Sequence, residues 1–469
     1  MALLGEQIER LKSRVRLAVI FGGNKAIPDS VVYRSPNTRS WKSYEVVAQD
    51  IADTLRRHGF RHVELMPDDM RLGDRLHRQG IHMAWLNTGG MQGYNPTAHA
   101  PAMLEMMGVP YIGHDPLAAT TLDNKHTFKR IAAAAGIPTP PFTIWQMERG
   151  PFRPDLNSRF KRAFGDYHGP FVVKPVSGRA SLHVHVVPDV AGLTEVIAEV
   201  YRATENAVLI EQFLPGREVC IAVSGPIVAR GGRLMRGSRP FTFANIERVL
   251  TVDERIFTSM DKCPITQDRL KLLDSDRDAD LLAQMRRLAH ETYLEFNLSS
   301  LIRLDLRADE NGKLFILEAN PKPDLKKPEQ NVTSLIGAGL AEVGMDYDDL
   351  ILSLLADRLD FLSTHRPSVL QHIFELMNVP NLFDLMDSPA SEGARTGADQ
   401  AAVALQASRS AALIAELATD VNVMALKDTL RAVEGRQEGM NPDQAGSARQ
   451  PAGMPASKPS RSARRLRRL

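Results

Sequence analysis

The chain has 469 residues, 43% hydrophobic and 24% charged, the balance of a soluble globular protein with room for two or three hydrophobic cores. A formal net charge of +2 says little about partners by itself, and two cysteines, Cys220 and Cys263, exclude a framework of several disulfides and lack metal-ligand spacing. No run approaches the roughly 18–20 uncharged apolar residues that span a bilayer, and the charges scattered from Met1 to Arg14 leave no secretory signal. No membrane partner and a reducing, cytoplasmic location are therefore expected.

Val15 to Phe21 is a short apolar run ending at Gly22-Gly23, which predicts a buried strand turning into a loop. Ser43 to His58 has helical spacing, with Val46, Val47, Ile51 and Leu55 on one side and Gly59 past the end. Val63 to Met66 and Ile81 to Leu86 read as further strands, so the first 115 or so residues alternate strand and helix as a wound parallel sheet does. A helix is expected near Asn124 to Ala135, stopped by Gly136-Ile137-Pro138. β-rich pieces follow at Phe171 to Pro175, Leu182 to Val187, Val208 to Phe213 and Glu218 to Ser224. A long helix from about Asp276 to Glu295 then precedes strands Leu301 to Arg307 and Leu314 to Glu318, with Gly312 in the turn between them. Helix is expected again for Asp346 to Phe361 and Gln400 to Val433. From Gly435 onward, eight Lys/Arg against two Asp/Glu give +6, among four Pro and four Gly without apolar periodicity. Such a segment cannot bury enough surface to offset its chain entropy and is expected to be disordered.

Three constellations could carry chemistry. In the first, Arg303-Leu304-Asp305 and Glu318-Ala319-Asn320 flank Asn311-Gly312. Alternate strand residues share a face, so a hairpin here could bring two carboxylates and an amide oxygen to one end of a sheet, with Arg303 beside them. Hard oxygen donors of this kind suit Mg²⁺ on nucleotide phosphates, and the arginine suits a charged transition state. A solvated hairpin with outward charges fits the same spacing. In the second, Lys174 ends an apolar strand and enters the small-residue loop Pro175 to Ser181. Backbone N–H groups and a cation there could meet phosphates, although a strand-end lysine is commonly just solvated. In the third, Val208 to Glu211 runs through Gln212, turns at Pro215-Gly216 and restarts at Glu218. Its polar groups could read a nucleobase edge and ribose hydroxyls, or simply form a turn.

Taken in this order, together with Leu122-Asp123-Asn124-Lys125 and Ala135 to Pro140, these motifs resemble the ATP-grasp superfamily. Within it the chain is similar to the D-alanine–D-alanine ligase group, over about Val15 to Phe361. The resemblance implies an α/β ATP-grasp architecture: an N-terminal wound parallel sheet (residues 1–118), then an ATP-grasp domain (119–362) whose two α+β subdomains (about 119–214 and 215–362) clamp ATP. A helical extension (363–434) and the basic tail (435–469) would follow. It implies an ATP-dependent carboxylate–amine ligase that works through an acyl phosphate, with a small-molecule acid and an amine as substrates. Lys125 and Lys174 would contact ATP phosphates, Glu211, Gln212 and Leu214 the adenine, and Glu218 the ribose. Asp305, Glu318 and Asn320 would hold Mg²⁺, or Mn²⁺, and Arg303 would stabilise the acyl phosphate and the tetrahedral intermediate, with Lys174 as a second catalytic residue. Members of the group are often dimers, which extends the expectation to a homodimer.

The departures from that pattern lie on the substrate side. No glutamate follows Gly22-Gly23-Asn24 before Ser43, and Asn87-Thr88-Gly89-Gly90 replaces an acidic glycine-rich signature. Ala180, next to Ser181, stands where the group has a network serine. The stretch after Pro226 holds Arg233, Arg236, Arg239 and Arg248 but no tyrosine, and Lys322 to Lys327 is a longer, more basic segment. Ser181, Arg236 and Arg239 are candidates for a phosphate or substrate-carboxylate clamp, with a solvated loop the alternative. A substrate pair other than two D-alanines is expected. Two other classes remain open here: an ATP-grasp kinase that needs no amine, and a non-catalytic nucleotide-binding scaffold. Nucleic acid is not expected as a partner, since Arg461 to Arg468 is basic but no aromatic residue is there to stack bases.

Overall fold

The structure is a computed structural model, and it describes residues 1–22, 44–178, 181–251, 254–257, 265–329 and 332–376. The expectations for Gly23 to Ser43, for Arg179 and Ala180, for the helix at 400–433 and for the basic tail lie outside the described residues.

After helix α1 (Ala2–Lys12), strand β1 (Arg16–Gly22) is the centre of a parallel sheet. Helix α2 (Glu45–Arg57) leads to β2 (His62–Asp68), α3 (Leu72–Arg78) to β3 (Met83–Asn87), and α4 (His99–Met106) to β4 (Tyr111–Ile112). The strand order is β2-β1-β3-β4, the wound parallel arrangement expected from the alternating pattern. Strand alternation decides the two faces. Leu17, Val19 and Phe21 pack with Val47, Ile51 and Leu55 of α2, whereas Ala18 and Ile20 pack with Leu72, Leu76 and Leu104 of α3 and α4. Val46, expected on the apolar side of α2, is 67% exposed, and Ala48 and Ala52 complete the buried stripe instead.

Helices α5 (Pro116–Asp123) and α6 (Lys125–Ala134) follow, split by Asn124, whose side chain caps α6 by accepting the Thr127 N–H. A second sheet, all antiparallel, contains β5 (Phe142–Trp145), β6 (Phe171–Pro175), β7 (His185–Val187) and β8 (Val208–Gln212) in the order β5-β8-β6-β7. Helices α7 (Ser158–Phe164) and α8 (Leu193–Thr204) cover one face of it with an aromatic core of Phe152, Phe160, Phe164 and Phe171.

The third sheet is built on β9 (Glu218–Ser224). Beyond it, β10 (Ile227–Arg230) and β11 (Arg233–Arg236) form a separate hairpin. Strands β12 (Phe241–Thr242), β13 (Ile246–Arg248) and β14 (Leu270–Leu272) follow, then α9 (Ala279–Glu295), β15 (Ile302–Ala308) and β16 (Leu314–Asn320). The order is β14-β13-β9-β15-β16, with β12 also on β9. Helix α9 and α6 bury one face of this sheet through Phe128, Met285, Leu288, Leu304 and Ile316. Gly312 takes the left-handed backbone (φ +79°) that the β15–β16 turn needs. Helix α10 (Tyr347–His365) packs against α2 and β10 at once and so joins the first sheet to the β10–β11 hairpin, and the short helix α11 (Gln371–Leu376) ends the described chain.

Candidate active site

Two sheets face each other across a solvent-open cleft of about 960 Å³, and strand parity decides what each presents to it. On β6, Phe171 and Val173 enter the aromatic core, so Val172 and Lys174 face the cleft. On β8, Val208 and Ile210 enter the core and Glu211 faces the cleft, opposite Val172 in register. Across the gap, Ile302, Leu304 and Leu306 of β15 are core, so Arg303, Asp305 and Arg307 line the cleft. Val219, Ile221 and Val223 of β9 are core in the same way, leaving Glu218 on the cleft side.

Strand β16 breaks that simple rule. Leu314 and Ile316 point into the core, and unbroken alternation would send Glu318 and Asn320 after them. The register shifts between Asp305 and Leu306, which pair with Glu318 and Ile316, so Leu317 is one extra residue on β16. Past this bulge Ala319 is core, whereas Glu318 and Asn320 line the cleft opposite Asp305 and Arg303.

The cleft is dense in paired charge. Asp305 is 3% exposed and takes Arg303 Nε at 2.7 Å, Arg303 Nη2 at 3.0 Å and Arg248 Nη2 at 2.8 Å. Asn320 Nδ2 donates to Asp305 Oδ2 at 3.2 Å, so the acid and the amide face each other. Burial pushes the Asp305 pKa up, but Arg248 and Arg303 outweigh it and hold the carboxyl well below the usual range. Glu218 pairs with Arg248 Nη1 at 3.0 Å and Arg307 Nη1 at 3.2 Å. The Arg307 guanidinium also donates to the carbonyls of Gly216 (3.3 Å) and Arg255 (2.8 Å), with its centre 4.7 Å from the Phe213 ring centroid. Lys125 Nζ reaches both Glu318 Oε2 and the Gly178 carbonyl at 3.1 Å.

Glu211, only 1% exposed, sits between Lys174 (2.9 Å) and Lys129 (3.2 Å). Burial raises its pKa, yet the two lysines prevail and keep it low. Lys129 is fully buried and is pushed down to about 8, chiefly by desolvation, against the pull of Glu211.

Of the residues singled out in the sequence, Lys125, Lys174, Ser181, Glu211, Gln212, Leu214, Glu218, Arg303, Asp305, Glu318 and Asn320 all line this one cleft. Ser181 Oγ donates to the Phe257 carbonyl at 2.9 Å. Arg236 and Arg239 are not among the lining residues. Arg236 ion-pairs with Asp360 of α10, and Arg239 is exposed, because the hairpin that carries Arg236 packs on α10. Arg248, the last of that arginine series, is the one that enters the cleft, since β13 pairs with β9 and places it beside Glu218. Sequence reasoning passed over Lys129 and Arg307, although both obey visible periodicities: Lys129 lies four residues after Lys125 on one helix, and Arg307 two after Asp305 on one strand.

Residues 131–356 match the family described as D-ala D-ala ligase C-terminus. A D-alanine–D-alanine ligase from Laribacter hongkongensis is 26% identical over 348 residues, 74% of this chain and 97% of its own length. One from Synechococcus is 23% identical over 68% of this chain and 88% of its own. An uncharacterised protein, y4sG, from Sinorhizobium fredii is 28% identical over 53% of this chain and 68% of its own. Among solved structures, a Bacillus anthracis D-alanine–D-alanine ligase complexed with ATP superposes with a TM-score of 0.53 at 19% identity, covering 75% of this chain and 99% of that one. Residues 131–356 thus carry the D-ala D-ala ligase C-terminal family, and over about three quarters of its length the chain is similar to D-alanine–D-alanine ligases and shares the ATP-grasp fold.

Proposed function

We propose that this protein is an ATP-dependent ligase that phosphorylates a substrate carboxylate and passes the acyl group to an amine, with a substrate pair other than two D-alanines. The observation that carries the reading is the cross-strand quartet Arg303, Asp305, Glu318 and Asn320 in one cleft with Lys125, Lys174 and Glu211. A protein that only binds nucleotide gains nothing from an arginine held where transition-state charge develops. The similarity to ligases, one of them solved with ATP, supports the same reading.

The residues divide the work. Glu211, Gln212 and Leu214 would hold the adenine and Glu218 the ribose, while Lys125 and Lys174 would meet the phosphates. Asp305, Glu318 and Asn320 offer the hard oxygen donors that Mg²⁺ prefers and Mn²⁺ accepts, so the donor set fits a divalent ion. When bound, such an ion would neutralise phosphate charge. A carboxylate oxygen of the substrate attacks the γ-phosphorus, the bond to ADP breaks, and an acyl phosphate forms. The amine then attacks the acyl carbon, phosphate leaves, and the amine nitrogen loses a proton. Arg303 opposes the charge that builds up in both steps.

The substrate reading rests on the missing polar partners: Asn87, Thr88 and two glycines stand where the group carries an acidic signature. A buried group left without its partner costs about 1–3 kcal/mol, so a site that has lost several does not keep its substrates. The test is ADP release across a panel of acids and amines, followed by hydroxylamine trapping. A hydroxamate from an acid other than D-alanine is the expected result. Robust turnover with D-alanine alone would overturn the substrate reading, and phosphorylation of a hydroxyl without hydroxamate would overturn the ligase reading.

A further inference from the structure

The Lys129–Glu211–Lys174 group has a charge count that its place in the cleft makes consequential. Only Glu211 and Lys174 line the cleft; Lys129, fully buried, lies behind Glu211. The Lys129 ammonium donates to Thr139 Oγ1 at 2.7 Å and Ile316 O at 3.4 Å, and it ion-pairs with Glu211 Oε1 at 3.2 Å. Lys174 takes the other carboxylate oxygen, Oε2, at 2.9 Å. Two cations therefore share one carboxylate. With Lys174 alone, Glu211 would form a neutral pair, and the cleft would see a dipole where it now sees a cation. A full charge acts at longer range than such a pair, and the three side chains are nearly shielded from solvent.

We propose that Lys129 is a positioning residue that neutralises Glu211 from behind, so that the Lys174 ammonium keeps its positive charge available to a polyphosphate chain in the cleft. This rests on the nucleotide reading of the cleft given above. Lys129 touches no ligand itself; it acts through Glu211, and Thr139 and the Ile316 carbonyl hold it there.

The test uses the full chain and inorganic tripolyphosphate with Mg²⁺, a probe that has no base to involve Glu211 in other contacts. Calorimetry of wild type, Lys129→Met, Lys129→Arg and the double variant Lys129→Met/Glu211→Gln separates charge from packing. Lys129→Met should weaken tripolyphosphate binding by about tenfold, as loss of one nearby charge at an effective dielectric intermediate between water and protein implies. Lys129→Arg should keep most of the affinity. The double variant should regain it, because removing the carboxylate leaves Lys174 unpaired again. Equal binding by wild type and Lys129→Met would overturn the proposal, as would a double variant as weak as the single one when both remain folded by circular dichroism. Failure of wild type to bind either tripolyphosphate or ATP would sink the nucleotide reading itself, a different result from either of these.

Discussion

At the residue scale, the site is a set of buried charges, each matched to an opposite charge across a strand or across the cleft. Asp305 has two arginines, Glu218 two arginines, Glu211 two lysines and Glu318 one lysine. Glu318 differs in its surroundings. Its side chain is 27% exposed, and its partner Lys125, itself buried, keeps the Gly178 carbonyl as an acceptor when Glu318 is removed. Glu318→Ala should therefore cut ligase turnover by roughly a thousandfold or more through the lost oxygen donor, while changing unfolding free energy by about 1 kcal/mol or less. Parallel steady-state assays and urea titrations check this, and near-normal turnover in the variant would remove Glu318 from the metal-binding set. The type and order of these residues were visible in the sequence. Their pairing was not, because Arg248 meets Asp305 only after β13 has docked on β9.

At the element scale, α10 does what a neighbouring strand would do for β10. Along one side of the helix, Asp357, Ser353 and Asp349 accept backbone N–H groups in turn: Ile227 at 3.1 Å, Ala229 at 2.7 Å, and Gly231 and Gly232 at 2.9 and 2.8 Å. Positions four apart on the helix match alternate N–H groups of the strand, so an otherwise unpaired sheet edge is satisfied inside the protein. The fit is tight, since a Cβ on Gly225 would lie 2.3 Å from the Asp357 carboxylate. Burial, first among the causes, pushes the Asp357 carboxyl up to about 7, against the pull of its hydrogen bonds to backbone N–H groups. A carboxyl whose pKa is higher folded than unfolded is kept neutral by folding. Its contribution is complete below about pH 4 and falls away as pH rises toward 7, by up to about 1.4 kcal/mol per unit. Asp357→Asn should flatten that decline, measured as the difference in urea midpoint between pH 4.5 and 7.5. Equal slopes in wild type and variant would refute the assignment to Asp357.

At the scale of the whole molecule, the first and third sheets share one core. Leu17 of β1 and Val47 and Ile51 of α2 belong to the same apolar cluster as Ala222 of β9, with Ile227, Ile351 and Leu355 between them in that cluster. Arg358 adds polar ties between them, donating to the Tyr111 carbonyl at 2.7 Å and Ser299 Oγ at 2.8 Å. Among the described residues, those lining the cleft run from Lys125 to Asn320, ahead in sequence of the basic run that begins at Gly435. Truncation after Glu434 should accordingly leave kcat and KM within about twofold of wild type, since a segment of that composition has no packed core to lend the site. A collapse in turnover would show that the tail belongs to the active unit.

Local physics in the sequence determined the parallel first sheet, the β-rich pieces that follow it and the residue types of the site. Alternating apolar residues, proline stops and Gly312 are short-range signals that act within a few residues. Three features required the tertiary structure. The extra residue at Leu317 turns Glu318 and Asn320 from the core to the cleft, and it is defined only by pairing with β15. Arg236 is drawn to Asp360 and Arg248 to Asp305, partners 124 and 57 residues away, which no local pattern distinguishes. Lys129 differs from any other helical lysine only because Glu211, from a distant strand, is buried beside it. Charge pairing across a fold depends on which strands meet, and that is decided by the packing of the whole chain.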